Sequence, residues 1–314
     1  MERILLTGAT GFVGSELSKA LLEKYELHVL ERYVTGRYGL DKGRDMFVHY
    51  ANLSDYPAVR RIVKDVKPDY CLHIGALSAV SFSYDNFMEV SETNYLGTVN
   101  LVETCYREVP DFKQFIFAGT SEEYGTTLKS KNKKLTEDSV LEPNSPYAVA
   151  KVAVDYYLRY MGKAYEFPYT IIRPFNTYGR KDNNHFFVER VITQMLNGGP
   201  VYLGDPAAIR DWVYIDDHVN GYVKAINNQK AIGETIQLCT GKGYTTKETA
   251  EKIAKIIGYN GKIKWGMTQH RPLDAYVLIG DNKKAQKILG WTPKYNFDEG
   301  VTKTINYWKE KLGK

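Results

Sequence analysis

The sequence predicts an α/β protein: a doubly wound parallel sheet with a smaller C-terminal α/β domain. Three observations carry this prediction. Short apolar runs alternate with amphipathic stretches through the first half of the chain. A glycine-rich turn joins the first apolar run to the first amphipathic stretch. The length, 314 residues, suits about two domain-sized units or one large elaborated one.

The apolar runs Ile4–Thr7, Leu27–Leu30, Tyr70–Ile74, Gln114–Ala118 and Thr170–Arg173 read as strands. Helical periodicity fills the gaps at Phe12–Lys24, Tyr56–Asp65, Phe87–Arg107 and Tyr147–Lys163. Strands separated in this way pair in parallel, and right-handed crossovers place helices on both faces. After about residue 175 the pattern loosens. Helices near Phe187–Leu196, Asp216–Asn227, Lys247–Ile257, Asp281–Leu289 and Asp298–Lys311 alternate there with short strands and Gly/Pro loops.

Composition excludes several classes. The chain is 43% apolar and 25% charged, which argues against disorder. Net charge is only +5, and the one dense basic run, Lys129 to Lys134, reads as a solvated loop, so no nucleic-acid partner is expected. No stretch approaches the roughly 20 apolar residues that span a bilayer, so no membrane partner is expected. The apolar run Ile4–Leu6 is cut off by Gly8, and no leader segment is expected. Cys71, Cys105 and Cys239 are odd in number and far apart. They form neither a disulfide framework nor a metal site, and a reducing, cytoplasmic setting fits.

The opening segment RILLTGATGFVGSEL holds the first functional signal. Gly8 permits a tight turn, Gly11 lets backbone approach a pyrophosphate, and Gly14 allows close helix–strand packing. Phe12 and Val13 then open a helix whose N–H groups and positive dipole end face the anion. Glu31 ends the next strand, where a carboxylate can accept hydrogen bonds from ribose hydroxyls and repel a 2′-phosphate. NAD is therefore favoured over NADP, although Arg32 and Arg37 are placed to accommodate a phosphate. Residues 1–175 are expected to form this dinucleotide-binding Rossmann domain, with a returning segment at about 210–240. Residues 176–314 would be mainly a substrate domain.

The three-then-three glycine spacing resembles the extended short-chain dehydrogenase/reductase superfamily, the branch of nucleotide-sugar epimerases and dehydratases. Further motifs extend that resemblance across nearly the whole chain, as far as Leu289–Pro293. SPYAVAK places Tyr147 and Lys151 four apart on one helix face, so the ammonium can sit near the phenol and favour phenolate. The resemblance implies that Tyr147 takes a proton from a sugar hydroxyl as that carbon is oxidised. FIFAGTSEEYG puts Thr120 and Glu122 beyond the carboxyl end of a strand, where ligands of such sheets bind. Thr120 would hold the sugar oxygen. Glu122 would remove the C5 proton in a 4,6-dehydration, a step that a 4-epimerase does not need. The Thr-Ser-Glu run looks like that of GDP-mannose 4,6-dehydratases; the sequence after Arg173 looks more like UDP- and dTDP-sugar enzymes.

The same resemblance implies supporting roles. Asn52 and Leu53 fall at adenine, Gly75 and Ala76 let backbone approach the dinucleotide, Asn94 lies near the active site, and Pro174 rests against nicotinamide. His73 reads as a packed strand residue. Ser78, Asn176, Val188, Arg210 and Arg271 are expected at the nucleotide sugar, the two arginines as a clamp on its diphosphate. The expected function is an NAD-dependent nucleotide-sugar 4,6-dehydratase. Alternatives are a 4-epimerase and an NADPH-dependent 4-keto-6-deoxy-sugar reductase. A homodimer is expected, with helices Phe87–Arg107 and Tyr147–Lys163 paired as a four-helix bundle.

Overall fold

The computed structural model describes residues 1–32, 46–130, 132–181, 183–267 and 272–314. Six strands run through the first part: β1 (Arg3–Thr7), β2 (Glu26–Glu31), β3 (Met46–Tyr50), β4 (Tyr70–His73), β5 (Gln114–Ala118) and β6 (Tyr169–Pro174). Between them lie α1 (Phe12–Leu21), α2 (Tyr56–Val66), α3 (Val80–Asp85), α4 (Phe87–Ser91), α5 (Gly97–Glu108) and α6 (Pro146–Tyr165). The second part holds β7 (Asn176–Tyr178), α7 (Phe187–Leu196), β8 (Val201–Tyr202), β9 (Ile209–Tyr214) and α8 (Ile215–Ala225). After these come β10 (Glu234–Leu238), β11 (Gly243–Thr245), α9 (Thr246–Ile257), β12 (Ile263–Lys264), β13 (Val277–Leu278), α10 (Lys283–Leu289) and α11 (Phe297–Leu312).

Seven strands form one parallel sheet in the order β10-β6-β5-β4-β1-β2-β3. The last strand to join, β10, comes from the second part and pairs with β6 from Glu234↔Thr170 to Leu238↔Pro174. Both faces are covered, so β5 sends Phe115 and Phe117 to one core and Ile116 and Ala118 to the other. Leu17 and Leu21 of α1 pack with Val219 and Tyr222 of α8 on one face. Val63 of α2, Leu101 of α5 and Leu158 of α6 pack on the opposite face. Each such aliphatic side chain contributes about 1.5–3 kcal/mol when fully buried. A third cluster joins α7, α9 and α11 in the second part. There β7, β11 and β13 all pair with β9.

Several elements differ from expectation, among them the short helix α3, which was not foreseen. The helix expected over Phe87–Arg107 is broken in register by a π-helical turn, Glu92–Leu96, between α4 and α5. Such turns cluster at functional sites, and this one carries Asn94. Strand β3 was not foreseen: Phe47, Val48 and Tyr50 are exposed at the sheet edge, so the run lacks the one-sided alternation that marks a half-buried strand.

Candidate active site

The sheet order reverses between β1 and β4, and an open α/β sheet offers its ligand crevice at that point. Gly8 follows β1 with φ +74°, a left-handed conformation that favours glycine. A Cβ on Gly8 would stand 2.6 Å from the Cα of Gly75, which follows β4. A Cβ on Gly14 would strike the Gly8 carbonyl oxygen, and the Gly11 N–H donates to that same oxygen at 2.9 Å. No side chain caps the N-terminus of α1, so the N–H groups opening the helix at Phe12 and Val13 receive no side-chain acceptor there. This backbone cradle fits a dinucleotide pyrophosphate.

Glu31 ends β2 beside the cradle. Its carboxylate accepts from the Thr10 N–H at 3.1 Å and the Thr10 hydroxyl at 2.6 Å, and burial pushes its pKa up. Arg32 pairs with Glu89 at 3.3 Å; Arg37 lies outside the described residues. Asn52 is exposed, with its side-chain oxygen accepting from the Ser54 N–H, while Leu53 is buried under Gly97.

The segment after β4 is held from two sides. Thr7 Oγ1 accepts from the Gly75 N–H at 3.0 Å and lies 2.6 Å from His73 Nδ1. His73 Nε2 lies 2.8 Å from Thr98 Oγ1, whose hydroxyl donates to the Asn94 carbonyl. That chain makes Nε2 the donor and Nδ1 the acceptor, so the imidazole is neutral; burial lowers its pKa to about 3. Asn94 in turn accepts from the Leu77 N–H at 2.8 Å and donates to the Leu77 carbonyl at 3.1 Å. Both side chains therefore fix the loop carrying Gly75, Ala76 and the exposed Ser78.

Thr120 and Tyr147 are brought together: the Thr120 hydroxyl acts to lower the Tyr147 pKa against the effect of burial, and each is 8% exposed. Thr120 caps a 3₁₀ turn, Ser121–Tyr124, while Ser145 and Pro146 start α6 so that Tyr147 faces the strand end. Burial, with the Glu123 and Glu122 charges, raises the Tyr147 pKa. The expected contact between Lys151 and the phenol is looser than the helix spacing suggested. The Lys151 ammonium donates to the Ala118 carbonyl at 2.6 Å and lies 6.0 Å from the Tyr147 ring centroid. Burial lowers its pKa to about 8. Glu122 Oε2 is buried with no hydrogen-bond partner among the described residues, and so is Asn176 Oδ1 at the start of β7. Orphaned buried oxygens of this kind call for an unfilled partner.

The remaining residues are scattered. Pro174 closes β6, half-buried at the strand end. Val188 is 1% exposed, its side chain occupied with the core of the second part. Arg210, nearly buried on β9, pairs with Asp274 at 3.4 Å. Arg271 lies outside the described residues. Sequence reasoning missed Glu123, Asp155 and Arg173, which form buried ion pairs behind Thr120. One signal was available: Asp155 lies four residues past Lys151 on the same helix face. Among the described residues no group of acidic, His or Cys side chains could hold a metal ion, and no helix is long and apolar enough to cross a membrane.

The family model described as GDP-mannose 4,6 dehydratase matches residues 5–304. The chain belongs to that family. The UDP-glucose 4-epimerase of Mycolicibacterium smegmatis is 29% identical, over 98% of this chain and 99% of that one. The crystal structure of the Thermotoga maritima UDP-glucose 4-epimerase with UDP-glucose superposes with a TM-score of 0.90 at 29% identity, covering 99% of each chain. DesIV, a dTDP-glucose 4,6-dehydratase from Streptomyces venezuelae crystallised with NAD, gives 0.88 at 26% identity, covering 99% of this chain and 98% of that one. The family is one of enzymes, nucleotide-sugar dehydratases and epimerases of the extended short-chain dehydrogenase/reductase type, and both reactions are represented among these relatives.

Proposed function

We propose that this chain is an NAD-dependent nucleotide-sugar 4,6-dehydratase working by transient oxidation at C4. The observation that carries the choice is Glu122: a buried carboxylate oxygen without a partner, close enough to Tyr147 to raise its pKa. A 4-epimerase has no use for such a base.

The residues that would hold NAD are Gly8, Gly11, Phe12, Val13 and Gly14 at the pyrophosphate, Glu31, Asn52 and Leu53 at adenosine, and Gly75, Ala76, Asn94, Lys151 and Pro174 toward nicotinamide. When bound, NAD supplies a cationic ring and a reversible two-electron acceptor. Thr120 and Tyr147 hold the C4 hydroxyl, and Tyr147 Oη takes its proton as C4 becomes a ketone. Glu122 would take the acidified C5 proton and deliver it to the C6 hydroxyl, which then leaves as water. Bound NAD would supply the two electrons that C6 regains, and C5 would take up a proton as Tyr147 gives up its own, so that the sum is loss of water with no net oxidation.

Residues 1–175, with the returning segment at about 210–240, serve the coenzyme in this reading, and 176–314 mainly serve the nucleotide sugar. Ser78, Asn176, Arg210 and the Val188 helix would serve the sugar side, and Arg271 keeps the role its sequence motif implies. The chain acts as a homodimer through α4, α5 and α6. Exposed Val149, Tyr156 and Tyr160 along one stripe of α6, with Phe87 and Met88 on α4, support that interface. Three free, buried cysteines suit the reducing cytoplasm.

Incubation with a panel of nucleoside-diphosphate hexoses, read by NMR, tests the reading. It expects a 4-keto-6-deoxy product. A 4-epimer would move the chain to the epimerase reading, which the 29%-identical relative favours. Consumption of one reduced coenzyme per product would move it to the reductase reading.

A further inference from the structure

Behind the Thr120–Tyr147 pair lies a charged cluster for which the mechanism above has no use. The side chains of Arg173, Glu123 and Asp155 have no exposed surface. Arg173 Nε lies 2.7 Å from Glu123 Oε2, and its Nη2 donates to Asp155 Oδ2 at 2.8 Å. Its Nη1 donates to the Tyr124 hydroxyl at 2.8 Å, and Arg159 Nε donates to Asp155 Oδ1 at 2.5 Å. Stability alone is a poor reason for such a cluster, since buried ion pairs can often be replaced by apolar residues without loss.

Its connectivity gives a better one. The second oxygen of Glu123, Oε1, accepts the backbone N–H of Thr120 at 2.9 Å. Asp155 sits on α6, one turn beyond Lys151 and two beyond Tyr147. The rigid guanidinium thus spans from the turn that presents Thr120 to the helix that presents Tyr147. Gly119 leaves the space this requires, because a Cβ there would stand 2.6 Å from Glu123 Oε1 and 3.2 Å from Arg173 Cγ.

We propose that Glu123, Arg173 and Asp155 form a strut that sets the separation of Thr120 from the Tyr147–Lys151 face of α6, with Glu123 a positioning residue for the reaction. The strut rests on the reading of Thr120 and Tyr147 as the reacting pair. Its consequence is a specific kinetic signature, since misplacement of a catalytic pair slows the chemical step more than it weakens substrate binding.

The test is a double-mutant cycle on the full-length enzyme with Glu123→Gln, Thr120→Val and their combination. Glu123→Gln keeps the shape of the side chain and an acceptor for the Thr120 N–H but drops the charge that holds Arg173. It is expected to lower kcat about 10- to 100-fold with KM changed less than about threefold. In the Thr120→Val background it is expected to cost little more, because its effect runs through Thr120. Asp155→Asn, at the other end of the strut, is expected to behave alike and decides the matter if Glu123→Gln does not fold. Unchanged kcat in both variants, or a loss that adds in full to that of Thr120→Val, overturns the strut. Full activity in Thr120→Val alone would instead overturn the reading of the site beneath it.

Discussion

Tyr147 is buried near the Glu123 and Glu122 carboxylates, so without a ligand its phenol holds its proton firmly. Replacement by Phe keeps the packing and removes the base. We expect Tyr147→Phe to lower kcat about 10²- to 10⁴-fold with the fold intact by circular dichroism. Glu122→Gln separates the two halves of the reaction. It should abolish water loss while leaving C4 oxidation, so a 4-keto hexose would accumulate on the protein instead of the 4-keto-6-deoxy product. His73 makes a prediction of another kind. The folded chain keeps it neutral down to about pH 3, whereas the unfolded chain protonates it near its ordinary value of 6.5. Between those limits the unfolded state binds more protons, so this group's contribution to stability falls as pH is lowered through the window. The melting temperature should therefore drop less between pH 7 and pH 5 in His73→Gln than in the wild type. Equal slopes would show that His73 is not held neutral.

At the scale of elements, what the sequence made legible was whatever local rules decide. The turn at Gly8, Gly11 and Gly14 was legible because a left-handed φ favours glycine at Gly8 and a Cβ at Gly14 would strike the Gly8 carbonyl. We expect Gly14→Ala to separate β1 from α1, destabilising the fold by about 1–3 kcal/mol and abolishing coenzyme binding by fluorescence titration. The ends of β5 and β6 were legible from apolar runs that stop at Gly119 and Pro174. The π turn at Glu92–Leu96 was not, because one inserted residue barely disturbs a helical apolar pattern. Strand β3 was hidden because its edge position leaves both faces partly exposed. The strut residues were hidden for a related reason: Arg173 sits in a strand whose other residues look like plain core, and only the fold brings it against Glu123 and Asp155.

Across the whole molecule, the candidate site residues gather at the carboxyl ends of the strands of one sheet. The glycine turn follows β1 and packs on the segment after β4, while Thr120 follows β5 and Tyr147 opens α6; the proposed reaction puts the coenzyme at the first and the sugar at the second. The second part returns β10 to the sheet beside β6, so the elements that follow Pro174 are tied to the strand that carries Arg173. The exposed stripe on α6 predicts a dimer by light scattering at micromolar concentration, and Tyr156→Glu with Tyr160→Glu should give a folded monomer. In the proposed reaction, electrons lent to the coenzyme return before product leaves. Supplying the apoenzyme with less NAD than protein and a large excess of its nucleotide sugar tests this most directly. Many product molecules per NAD are expected, with no accumulation of reduced coenzyme. Turnover that stops after one product per NAD would contradict it.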